Sequence, residues 1–187
     1  MARPNDSSRR DLPDIQWLER MYNNRQRVPD HDDYFARWAA ESALVRRSLP
    51  CQLDVRYGDG AGETLDAFAA ARPRSPIVVF IHGGYWKAMD KSQHSFVVPA
   101  LRDLGAAVVV PNYALAPKVG IPDITLQMVR AVAWSWRHAR TLGGDARRIV
   151  VMGHSAGGQL AAMMLACAWN RFEPALPPRL VRAALGI

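Results

Sequence analysis

Cysteine is nearly absent: Cys51 and Cys167 are the only two in 187 residues. Two thiols make no disulfide framework, so a reducing cytoplasm is the expected compartment. Long apolar runs are missing too. No stretch approaches the ~20 residues that span a bilayer, so no membrane partner is expected. Residues 1–10 are polar and basic with no apolar segment behind them, which argues against a secretory signal. Lysine is scarce: Lys87, Lys91 and Lys118 leave arginine to supply the rest of the 24 basic residues. The net charge is +7. The positive residues are scattered, with pairs at Arg9-Arg10, Arg46-Arg47 and Arg147-Arg148, and form no stripe interleaved with aromatics. That pattern excludes a nucleic-acid groove and reads as a solvated surface. No His, Asp and Glu cluster has the spacing of a metal site, so neither a metal nor another cofactor is expected. One shortage is local. Downstream of Ser155 there is no His and no Asp, and the only acid is Glu173.

What remains is an ordinary globular composition, 49% apolar and 22% charged, long enough for one domain with a substantial core. Residues 1–12 read as a disordered tail. Ile15, Leu18 and Met21 or Tyr22 recur at helical spacing over 14–23, and Val28-Pro29-Asp30 breaks that helix. A second helix runs over 33–47 with Phe35, Trp38, Ala39, Ser42 and Val45 on one face. Residues 1–48 therefore form a tail and helical cap segment, and 49–187 the core domain. Cys51–Tyr57 alternates as a half-exposed strand, and Thr64–Phe68 returns after a Gly-rich turn, making a hairpin. Ile77–Ile81 and Ala107–Val110 are continuous β-branched runs, as in strands buried on both faces. Helices are expected over 95–104 and 122–142, the latter opened by Pro122 and Asp123 and stopped by Gly143-Gly144. Leu180–Ile187 reads as a further strand. An antiparallel hairpin followed by alternating strands and helices makes an α/β domain, a mostly parallel sheet with helices on both faces.

The most informative stretch is Ile149–Gly158, I-V-V-M-G-H-S-A-G-G. An apolar run enters Gly153-His154-Ser155-Ala156-Gly157, and a small-residue apolar helix follows, with Cys167 on it as a buried thiol. This is the strand, tight turn and helix of a G-x-S-x-G nucleophile elbow. Ser155 must sit at the tip of a strained turn with its hydroxyl exposed, and side chains at Gly153 and Gly157 would collide with neighbouring backbone. The helix directs its N-terminus at the site, where negative charge is favoured. Upstream, His82-Gly83-Gly84 follows a buried strand directly. Paired glycines leave backbone N–H groups uncovered at the strand's carboxyl end, where open α/β sheets bind ligands. Such donors, with the N–H of Ala156, stabilise the oxyanion of an acyl-transfer intermediate.

H-G-G-Y-W at 82–86, N-Y-A-L-A-P at 112–117 and G-H-S-A-G-G at 153–158 resemble the α/β-hydrolase superfamily, including the hormone-sensitive-lipase-like esterases. The H-G-G-x-W form, with Y-N-N-R-x-x-V-P-D at 22–30, is closer to the kynurenine formamidase (arylformamidase) branch. The resemblance covers nearly all of the chain from Tyr22 onward. It implies an α/β-hydrolase fold with Ser155 as nucleophile and Gly83, Gly84 and Ala156 as oxyanion donors. His82 would brace the oxyanion loop, with Gly153 and Gly157 supporting the elbow. Tyr85 and Trp86 would wall the substrate pocket, with His154 beside them and Tyr22 and Asn23 near its entrance. The implied substrate is a small carboxylic ester or aryl formamide, N-formylkynurenine first. The family's triad runs Ser, then Asp or Glu, then His. With neither Asp nor His after Ser155, the chain is expected to stop before the family's last strands. His31, His82, His94, His138 and His154, all upstream of Ser155, read as surface or structural histidines. The alternative is a catalytically incompetent fragment or pseudoenzyme. A lipid-surface esterase would need an apolar lid, and the helix over 33–47 is too charged for one.

Overall fold

The computed structural model describes residues 14–187, so the tail expected over 1–12 lies outside the described residues. The chain divides into two units, Met1–Arg37 and Trp38–Ile187. In the first, α1 (Ile15–Tyr22) is capped by Asp14, whose carboxylate accepts from the Gln16 N–H at 3.3 Å. Asn23 then caps a single-turn helix, α2 (Asn24–Arg27), accepting from the Gln26 N–H at 3.4 Å. The sequence signal for α2 is slight, because its four residues are all polar and carry no period. The break at 28–30 holds, and α3 (His31–Ser48) begins immediately after it. Asp32 and Asp33 stand in its first turn and Arg46 and Arg47 in its last, both matched to the helix dipole.

The second unit is built on a six-stranded sheet. Its strands are β1 (Gln52–Arg56), β2 (Thr64–Phe68), β3 (Ser75–Ile81), β4 (Ala107–Pro111), β5 (Gly144–Gly153) and β6 (Val181–Gly186), in the order β1-β2-β4-β3-β5-β6. The hairpin of β1 and β2 joins β4 antiparallel, and β4, β3, β5 and β6 run parallel. Period-two alternation sends successive valines to opposite faces. Val108 and Val110 meet Phe68, Val45 of α3 and Val98 of α4 (Val98–Asp103). Ala107 and Val109 join Ile77, Val79, Ile81, Ile149 and Val151 under α5 (Ile121–Arg137) and α6 (Ala156–Ala166). The expected sheet with helices on both faces and an antiparallel hairpin is therefore the observed one.

Three local expectations are corrected. The helix expected over 95–104 starts as a 3-10 turn, Ser95–Val97, and becomes α-helical only as α4. The long helix α5 stops at Arg137 instead of reaching Leu142. His138 leaves the helical region, stacks on Trp134 at 4.1 Å, and hands the chain to a turn that ends at Gly143 with φ +68°. Gly144 is then the first residue of β5, so that strand begins before its apolar stretch. A Cβ on Gly144 would lie 2.4 Å from the Ile77 side chain, which explains a glycine there. Cys167, expected on α6, instead caps its end half-buried. A short helix, α7 (Trp169–Phe172), follows and buries Trp169.

Charge inside the fold is paired. Asp66 of β2 is fully buried, with Lys91 Nζ at 2.6 Å and Arg46 Nε of α3 at 3.1 Å. Lys91 also reaches Asp54 of β1 at 2.6 Å. Glu63, 5% exposed, takes a bidentate pair of hydrogen bonds from Arg130 of α5.

Candidate active site

The turn between β5 and α6 presents Ser155. Its backbone lies at φ 54°, ψ −116°, and the residue is exposed. A non-glycine residue in that region stores strain of ~1–3 kcal/mol, which persists only where the surroundings enforce it. Here they do. The Ser155 N–H donates to the Ile187 carbonyl at 2.7 Å, and the His154 N–H donates to the Ile81 carbonyl at 3.2 Å. A Cβ on Gly153 would sit 2.0 Å from the Gly157 carbonyl oxygen, and one on Gly157 would sit 2.1 Å from the Ile81 oxygen. Both glycines are thus required by contact distance, and the strand can turn into α6 only with them in place.

The loop after β3 comes alongside. A Cβ on Gly83 would lie 2.8 Å from the His154 carbonyl oxygen and 3.3 Å from Ser155 Cβ. Gly84 has φ +105°, and Tyr85, Trp86 and Met89 also take positive φ. Among the described residues, no hydrogen bond takes up the N–H groups of Gly83, Gly84 or Ala156. Ala156 is the first residue of α6, so its N–H carries the helix's positive end.

His82 is fully buried. Its Nδ1 lies 2.8 Å from the Gly83 carbonyl oxygen and its Nε2 lies 3.0 Å from Asn112 Oδ1. Tyr113 stacks on the ring at 4.2 Å and donates its hydroxyl to the His82 and Gly83 carbonyls, at 3.0 and 3.2 Å. Burial pushes the His82 pKa down against the contacts with Gly83 and Asn112 and the nearby Asp90 carboxylate. Burial would raise Asp90, but bonds from Ser92 and Asn112 and the charge of Lys91 outweigh it and hold the carboxyl below its usual value.

The other histidines take structural places. His94 is buried between His82, Phe80 and Phe96, with Nδ1 3.1 Å from the Asp90 carbonyl. Burial and the neighbouring histidines push it down to about 4. His154 is half-buried, edge-on to Trp38 at 6.0 Å, and burial lowers its pKa. His138 caps α5, and His31 bonds the Val28 carbonyl in the other unit. No hydrogen bond joins any described histidine to the Ser155 hydroxyl. Trp86 packs against the core while Tyr85 is 71% exposed. Tyr22 and Asn23 stand at the end of α1 in the first unit. Sequence reasoning missed Asn112, Tyr113 and Asp90 as parts of this site. The first two were in view as N-Y of the 112–117 motif, directly at the carboxyl end of a central strand.

A strained serine between a strand and a helix, beside a glycine loop at the carboxyl edge of a mainly parallel sheet, defines an α/β-hydrolase architecture. The sequence profile of the α/β hydrolase fold matches residues 78–184, and the chain belongs to that family. It is 34% identical over 123 residues to a kynurenine formamidase of Danio rerio, covering 65% of this chain and 41% of that protein. It is 33% identical over 120 residues to a hormone-sensitive lipase of Bos taurus, covering 64% of this chain and 15% of that protein. Among solved structures, one from Silicibacter sp. described as a candidate thioesterase superposes with a TM-score of 0.73 at 35% identity, covering 88% of this chain and 57% of that one. The chain thus spans about two fifths of the length of the formamidase it matches. Among the described residues, no helix is long and apolar enough to cross a membrane.

Proposed function

We propose that this chain carries the nucleophile and oxyanion half of a serine hydrolase site for aryl formamides, N-formylkynurenine first. The observation that carries this reading is the strained, exposed Ser155 with Gly83 packed against it and three unclaimed N–H groups around it. The Ser155 hydroxyl attacks the formyl carbonyl and gives up its proton to a base. The oxyanion that forms is held by the N–H groups of Gly83, Gly84 and Ala156; one such donor is worth roughly a hundred- to a thousandfold in rate. The C–N bond breaks, the aryl amine leaves with a proton, and a formyl ester remains on Ser155. Water then hydrolyses that ester, releasing formate. On this reading Tyr85, Trp86 and His154 are the walls of the substrate pocket. The kynurenine formamidase relative supports the substrate class; a small carboxylic ester fits the same chemistry.

A second reading has its own observation. No described histidine bonds the Ser155 hydroxyl. Loss of a triad histidine costs roughly a millionfold in turnover. In that reading, this chain by itself binds ligands and scarcely turns them over.

Labelling with a fluorophosphonate, read by intact mass and peptide mapping, tests the nucleophile. The expected result is one adduct on Ser155 that Ser155→Ala abolishes. No adduct there in a complete, folded protein would refute the serine reading. Hydrolysis of N-formylkynurenine or p-nitrophenyl acetate no faster than by Ser155→Ala favours the second reading.

A further inference from the structure

We propose that Tyr113 is a positioning residue that aims the oxyanion donors of Gly83 and Gly84. The proposal rests on the serine-hydrolase reading above. It starts from peptide planarity. The His82 carbonyl and the Gly83 N–H belong to one peptide unit, and the Gly83 carbonyl and the Gly84 N–H belong to the next. In a trans unit the C=O and N–H point in opposite directions. Whatever holds those two oxygens therefore fixes where the two N–H groups point. The Tyr113 hydroxyl lies 3.0 Å from the first oxygen and 3.2 Å from the second. His82 Nδ1 lies 2.8 Å from the second as well. Both oxygens are held on the inner side of the loop, and both N–H groups are left without an internal partner among the described residues.

Asn112 sets which nitrogen of the His82 ring carries the proton. Its Oδ1 accepts from the Lys91 backbone N–H at 3.3 Å, and its Nδ2 donates to Asp90 Oδ2 at 2.6 Å. A backbone N–H can only donate and an ionised carboxylate can only accept, so the amide has one orientation. Its oxygen then faces His82 Nε2 at 3.0 Å, and that nitrogen must carry the proton. The neutral ring then has no proton on Nδ1 to give the Gly83 carbonyl, so the Tyr113 hydroxyl is the donor that holds it. The backbone of Asn112 is anchored in turn. Its N–H donates to the Thr64 carbonyl at 2.8 Å, and its carbonyl accepts from the Tyr57 hydroxyl at 2.6 Å. The titratable and charged groups around the ring are thus Tyr113, His94, Asp90 and Lys91.

The test compares wild type, Tyr113→Phe and Asn112→Leu in two readouts. The first is phosphonate labelling of Ser155, analysed as a limiting rate and a half-saturating concentration. The phosphoryl oxygen occupies the oxyanion position, so misaimed donors slow the limiting rate. We expect it to fall at least tenfold in Tyr113→Phe, with the half-saturating concentration unchanged. Tyr113→Phe keeps the ring, the stack and the core volume, so it reports on the hydroxyl alone. The second readout is the ring ¹⁵N spectrum of His82 at neutral pH. Wild type and Tyr113→Phe should show a single Nε2–H tautomer, and Asn112→Leu a mixture. A merely structural role would lower the melting temperature and leave both the tautomer and the limiting rate alone. A wild-type limiting rate in Tyr113→Phe overturns the proposal. If wild type takes no label, the spectrum decides alone: a fixed Nε2–H leaves the Tyr113 hydroxyl as the donor to the Gly83 carbonyl and supports the hold on the loop, and an Nδ1–H tautomer in wild type overturns it.

Discussion

Replacing Gly157 by alanine sets two physical effects against each other. Gly157 lies in the first turn of α6, where alanine is ordinarily favoured over glycine by ~1 kcal/mol. The added Cβ, however, would lie 2.1 Å from the Ile81 carbonyl oxygen and 2.7 Å from that of His82. The first distance is short of an ordinary contact by about 1 Å, and the atom it meets is backbone. The Ile81 oxygen cannot swing aside freely, because it accepts the His154 N–H at 3.2 Å. Either α6 lifts from the sheet or the end of β3 moves. Overpacking of this kind costs roughly 1–3 kcal/mol, more where backbone must shift, so the contact outweighs the propensity. The expected net loss is about 2 kcal/mol, a fall in melting temperature of ~4–8 °C for a chain of this length. Thermal unfolding followed by circular dichroism reads it directly. Labelling of Ser155 should slow as well, because the displaced atoms lead straight into His82-Gly83-Gly84. A melting temperature equal to or above wild type would refute the reasoning and mean that α6 stands clear of β3.

Lys91→Met should destabilise by about 3 kcal/mol, because among the described residues it leaves the fully buried Asp66 with Arg46 as its one remaining cation. The double variant with Asp66→Asn should recover part of that loss in urea unfolding, and a single variant within ~1 kcal/mol of wild type contradicts the idea. His94 makes acid destabilising. Its pKa of about 4 lies below the unfolded 6.5, so the unfolded chain takes up the proton first as pH falls. Its contribution is complete above pH 6.5 and lost towards pH 4, at ~1.4 kcal/mol per pH unit. Buried His82 and half-buried His154 lean the same way. Melting temperatures from pH 7 to 4.5 should fall less steeply in His94→Phe, and equal slopes would remove His94 from the account.

The parts of this molecule that could be read in advance are those whose cause is local. Val108–Val110 and Ile149–Val151 announce buried strands because each residue carries the signal itself. Gly153-x-Ser155-x-Gly157 announces its turn because the two collisions that require glycine arise within a few residues or against the next strand. Helix ends were less legible. Gly143-Gly144 was taken as the stop of α5, yet the helix closes at His138, whose ring finds Trp134 one turn back. A stacking contact competes there with helical propensity, and neither residue type advertises it. The least legible parts were the side chains behind the glycine loop. Asp90, Asn112 and Tyr113 look like a capping residue and two turn residues, and Asp90 does cap a 3-10 turn, Lys91–Gln93. Their second role exists only because β4 lies beside β3 in the sheet, which brings Asn112 and Tyr113 to the end where His82 emerges. Strand order follows from how the whole domain buries its apolar faces, so it is written in no single segment. The strained serine turn can therefore be found by pattern, whereas the side chains that hold the glycine loop beside it emerge only when the order of the sheet is known.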